Sequence, residues 1–167
     1  MTIAESFPDM AEIHPIDVVE TVASHHEWDF DRVAEDQIAM TLEGQWRAYA
    51  ITLAWSPSDE TLRLLLTFEL EPPEDKLPAL YEILNRINDL CWAGAFSWWE
   101  EEKLLVFRYA LMLAGEQVAT GEQVDTMIHA AVMSAERFYP AIQLALWDSM
   151  EPGKAIQAAI AEAYGRA

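Results

Sequence analysis

Cysteine occurs once in the sequence, at Cys91, which excludes an internal disulfide. A free thiol fits a reducing compartment, so the cytoplasm is the expected location. Bases are scarce as well, 10 against 29 acids, for a formal net charge of -19. Such a surface repels phosphate backbones and anionic lipid, which argues against a nucleic-acid partner. Glycine occurs 6 times and nowhere forms a phosphate-cradling loop. Walker, Rossmann and G-x-S-x-G patterns are missing. No apolar run approaches the ~20 residues that span a bilayer, so no membrane segment is expected. The first residues carry no base before His14 and no continuous apolar stretch, unlike a signal or transit peptide.

What is present is patterned apolar sequence. From Gln45 to Leu70 the chain reads as two adjacent strands joined by the polar turn Ser56-Pro57-Ser58-Asp59. Tyr49, Ile51, Leu53 and Trp55 alternate with Ala48, Ala50, Thr52 and Ala54, which puts large groups on one face and small ones on the other. Small groups let something pack close. Leu62, Leu64, Leu66, Phe68 and Leu70 repeat the alternation in the second strand.

The rest of the chain covers that pair. An arm is expected over residues 1–14, followed by a single α+β domain over 15–167. Pro15 suits the first turn of a helix ending near Glu27, and Trp28–Arg32 and Gln37–Glu43 read as strands. Two prolines, Pro72 and Pro73, end the sheet run before a helix whose stripe includes Leu77, Leu80, Ile83, Leu84, Ile87, Leu90 and Cys91. Ala95–Trp99 and Leu104–Leu113 then form a hairpin. Thr120-Gly121-Glu122-Gln123 is a capping box opening a long helix, with a kink or break expected at Pro140, and a short helix follows over Ala155–Tyr164. The architecture is therefore an N-terminal helix, an antiparallel sheet of about five to six strands with a helix inserted between strand groups, and C-terminal helices.

The strand from Leu104 is apolar on both faces, and neighbours Trp98 and Trp99 point to opposite sides of the sheet. Both faces then need cover, the second from further helix or from a second copy in a homodimer.

Candidate chemistry is sparse. Adjacent His25 and His26 point about 100° apart on a helix, so they do not form a metal pair, and they fit an exposed helix end. His129 reads as a boundary residue. Cys91 on an apolar stripe is expected to be buried and unactivated. The acids Glu100-Glu101-Glu102 lack the alternation and glycine of a calcium loop. No cofactor, metal or catalytic set is expected. Seven tryptophans are the stronger feature, because tryptophan is enriched at interface hot spots as well as in cores.

The segments WDFDRVAEDQIAMTLEGQW, GAFSWWEEEKLLVFRYALML and ERFYPAIQLALWDSMEPGKAIQAAIAEAYG resemble the YbjN family of bacterial proteins, in its alphaproteobacterial form. The ordered motifs are EGQW at Glu43 to Trp46, FRYALML at Phe107 to Leu113 and ERFYP at Glu136 to Pro140. One departure is the hairpin tip Glu101-Glu102-Lys103, where the family form would carry a glycine. The resemblance implies a fold like that of type III secretion chaperones and the role of a sensory transduction regulator, without catalytic residues. It points to a non-enzymatic regulator or chaperone-like adaptor that binds a protein or peptide client. Trp46, Trp98, Trp99 and Phe107 are the candidate partner or dimer surface. The alternatives are a small-molecule or ion sensor, with a pocket between sheet and long helix, and an enzyme.

Overall fold

A computed structural model of the chain describes residues 13–165. All but Ile13 and His14 of the expected arm lies outside those residues. His14 caps the first helix, α1 (Pro15–His25), its ring nitrogen accepting from the Ile16 N–H. Glu27 then takes a left-handed φ of 58° and turns the chain into the sheet. Strands β1 (Asp29–Ala34), β2 (Gln37–Glu43), β3 (Ala48–Ser56) and β4 (Thr61–Glu69) follow as a meander. A 3-10 turn at Glu74–Lys76 leads into α2 (Leu77–Asp89), and β5 (Ala95–Trp99) and β6 (Leu104–Met112) form the second hairpin. The chain closes with α3 (Gly121–Leu146) and α4 (Pro152–Gly165).

The six strands pair antiparallel in the order β1-β2-β3-β4-β6-β5, so the later hairpin adds to β4 through β6. Register decides the faces. Leu53 pairs with Leu64, and Leu66 with both Ile51 and Phe107, which gathers the large apolar groups on one side. These residues are fully buried, together with Ile16 and Val19 of α1, Ile83 and Ile87 of α2, and Ile128 and Ile142 of α3. One core therefore lies between the sheet and the helices. Thr120 and Gln123 cap α3 reciprocally, each bond 3.0 Å. The helix runs through Pro140 to Leu146 without a break. Proline removes one ladder bond there, while Phe138, Ala141 and Ile142 around it are buried in the core.

The opposite face of the sheet is left without a helix among the described residues. Ala50, Arg63, Arg108, Ala110 and Met112 on that face are exposed. The two-sided apolar pattern of β6 is thus covered on one side only. Val106 is an exception, fully buried although it stands outside the core, between its register neighbours Thr67 and Ser97.

The β5 edge of the sheet is closed by a side chain. The Asn88 amide donates to the Phe96 carbonyl at 3.0 Å and accepts from the Phe96 N–H at 2.7 Å, as a neighbouring strand would.

Candidate functional site

The site is built where the β2–β3 turn meets α3. Glu136, on α3, accepts from the Tyr49 hydroxyl at 2.5 Å, the Gln45 N–H at 2.9 Å and the Trp46 N–H at 3.4 Å. Three donors on one carboxylate hold the turn to the helix. Burial and then the bond to Glu136 push the Tyr49 hydroxyl well above the ordinary tyrosine range, so it stays a donor. Gly44 is required by this approach, since a Cβ there would lie 2.1 Å from Glu136 Oε1. Next to it, the Arg47 guanidinium sits 4.9 Å over the Phe68 ring and 5.7 Å over that of Tyr139, and donates to the Glu69 carbonyl.

A second loop lines the same cavity as this turn. Helix α2 ends at Asp89, so Leu90 and Cys91 fall beyond it and leave the apolar stripe expected to contain them. Gly94 ends the loop with φ +89°, and a Cβ there would lie 2.4 Å from Phe107 Cζ. The core ring of Phe107 thus fixes where the loop can run. Cys91 is half-buried rather than sealed in the core. Burial pushes its thiol up, opposed by the charge of Arg137.

Between the two loops, α3 and α4 form the floor of an open cavity of about 590 Å³. Trp46 and Trp92 both line it, and Met133, Arg137 and Ile160 line it from the helices. Its apolar side chains are unusually open: Trp92 is 99% exposed, Met133 66%, Leu90 42% and Trp46 40%. Large apolar groups gathered around one concavity on a charged protein mark a contact surface.

Of the four tryptophan and phenylalanine candidates named from sequence, only Trp46 lies in this groove. Phe107 is fully buried, 5.0 Å from Phe96 ring to ring, and is part of no accessible surface. Trp98 packs against the core with its Nε1 buried and unpartnered, whereas Trp99 stands on the opposite, uncovered face of the sheet. The structure therefore separates these residues instead of gathering them. The groove is also not between sheet and long helix, a space filled by the core; it lies on the outer side of α3.

The histidines converge elsewhere. His26 Nε2 is 2.6 Å from Asp125 Oδ1, and His129 Nδ1 is 3.2 Å from the same oxygen. The His26 ring stacks on Trp28 at 4.4 Å. Among the described residues no group of three or more His, Cys, Asp or Glu side chains is placed to hold a metal ion.

The family model for YbjN, described as a putative bacterial sensory transduction regulator, matches residues 15–144. The chain belongs to the YbjN family. The crystal structure of YbjN, a putative transcription regulator from E. coli, superposes with a TM-score of 0.53 at 14% identity, over 74% of this chain and 90% of that one. The HopA1-SchA chaperone-effector complex gives a TM-score of 0.48 at 19% identity, over 77% of this chain and 94% of that one. The likeness to the E. coli YbjN structure is one of fold. No curated protein matches this chain. Of the motifs in the YbjN match, Glu43 to Trp46 and Glu136 to Pro140 are the two that meet, through Glu136, at the groove. Among the described residues no helix is long and apolar enough to cross a membrane.

Proposed function

We propose that this YbjN-family chain is a non-enzymatic, cytoplasmic regulator or chaperone-like adaptor that works as a homodimer and holds a segment of a client polypeptide in the Trp46–Trp92 groove. One observation carries the reading: Trp46, Leu90, Trp92 and Met133 are all exposed around a single concavity. An amphipathic segment laid there would bury its apolar anchors against the two tryptophans, the usual source of affinity in helix-in-groove recognition. The net charge of -19 favours a client with basic residues beside those anchors. A thiol pushed toward its neutral form at the rim supports binding over covalent chemistry.

Panning a displayed peptide library against the protein, with Met133→Asp as the counter-selection, tests this. Recovery of apolar peptides with flanking lysine or arginine that bind wild type and not the variant is the expected result. Peptides that bind both equally would place recognition outside the groove.

A cavity of 590 Å³ also falls in the size class of small-molecule sites, which favours a ligand sensor as second reading. Arg137 would then pair an anionic head group while the tryptophans take an apolar tail. A thermal-shift screen of apolar carboxylates separates the two, since only the sensor reading expects a rise in melting temperature that Arg137→Ala removes.

A further inference from the structure

The uncovered face of the sheet carries an ordered charge pattern. Following the register across all six strands, one row reads Asp31, Ala39, Thr52, Leu65, Arg108 and Ala95. An acid stands at the β1 end and an arginine one strand in from the β5 end, with small or apolar groups between. Asp29 lies one row away on β1 and repeats the negative end. Among the described residues neither Asp29 nor Asp31 has an ion-pair partner. Among the same residues Arg108 makes only a 3.5 Å contact to Ser97 Oγ, whereas Arg63, also on this face, is already paired with Asp59 at 2.7 Å. Beyond the row, Val106 is fully buried and Met112 is 78% exposed.

We propose that two copies of this chain stack these faces about a two-fold axis that runs parallel to the strands between β3 and β4. This deepens the homodimer part of the reading above and rests on it; the groove on the other side of the molecule is left open. The operation sets β1 of one copy over β5 of the other, β2 over β6 and β3 over β4. Arg108 then faces Ala39 of the other copy, a side chain small enough to leave it room. Asp31 of the other copy lies one strand aside, about 5 Å, and Asp29 in the next row, both within reach of a guanidinium. The symmetry makes the same contacts twice, as an isologous interface requires. At the centre, Leu65 of each copy meets Thr52 of the other.

The available area suits a dimer. Five inter-strand steps and strands of five to nine residues span roughly 24 by 25 Å, or roughly 600 Å², at the lower end of the roughly 600–1,000 Å² per partner of a standard interface. Sheets packed face to face keep their strands within about 30° of each other, so the charge rows stay near one another despite the twist.

Sedimentation equilibrium of the full chain, with circular dichroism to confirm the fold of every variant, tests the arrangement. Wild type is expected to be dimeric at micromolar concentration. Arg108→Glu sets an acid against two acids and raises the dissociation constant at least about tenfold, and Asp31→Arg does the same from the other side. The double variant Arg108→Glu with Asp31→Arg restores much of the lost affinity. A wild-type monomer at tens of micromolar overturns the homodimer itself and leaves the face to a foreign partner. A wild-type dimer that Arg108→Glu and Asp31→Arg leave unchanged overturns this interface alone. Neither result bears on peptide binding in the groove, which the Met133→Asp variant reads separately.

Discussion

Glu136 is the residue on which the candidate site depends, because one carboxylate accepts three donors from the β2–β3 turn. Gly44→Ala would drive a methyl into that carboxylate and into the Tyr49 ring, so it should cost roughly 1–3 kcal/mol by thermal denaturation. Tyr49 gives a pH signature. Its folded pKa is raised by burial and Glu136 above the unfolded value of about 10, so its stability contribution is intact below that pH and lost as the pH climbs through and beyond it. Tyr49→Phe should therefore lose about 1–3 kcal/mol at neutral pH and show a flatter decline than wild type above about pH 10, in denaturant titrations at a series of pH values. The sequence motif around Gln45 and Trp46 pointed to this neighbourhood, but the partner does not follow from spacing, since Glu136 is 91 positions from Gln45. A smaller departure is explained by the backbone. Lys103 at the β5–β6 turn takes a left-handed φ of 52°, the conformation in which a glycine is unstrained.

At the scale of elements, alternation and capping made most of the fold legible. Period-two runs gave the strands of β3, β4 and β6, and the Thr120 box gave the start of α3. Two expectations are corrected for tertiary reasons. Of the kink or break expected at Pro140 the break does not occur, because its neighbours are buried in the core, and the stripe of α2 stops short of Leu90 and Cys91 because the chain must turn at Gly94 beside Phe107. That early stop is what places Leu90, Cys91 and Trp92 in the groove. Asn88 is another element-scale device invisible in sequence, a helix side chain completing a strand edge. Asn88→Ala should cost about 2 kcal/mol and speed hydrogen exchange at the Phe96 amide well beyond that of core amides in β4, measured by NMR or mass spectrometry.

At the scale of the molecule, the helices leave two surfaces with different characters. One is concave, walled by Trp46 and Trp92, on the outer side of α3. The other is the sheet face that carries Trp99 and Arg108. The sequence foretold that β6 is apolar on both sides, but which side the helices take, and that the groove would draw on the β2–β3 turn, the loop after α2, α3 and α4, are consequences of packing between segments far apart in the chain. The tryptophans divide accordingly among core, groove and sheet face, so no count of them could name a binding surface.

Affinity capture from the native host's lysate, read by quantitative mass spectrometry for wild type, Met133→Asp and Trp99→Glu, tests the adaptor reading most directly. One or two polypeptides retained by wild type and by Trp99→Glu but lost from Met133→Asp is the predicted result. Polypeptides captured equally by wild type and Met133→Asp, or none captured by a folded wild-type protein, would contradict a client-binding groove.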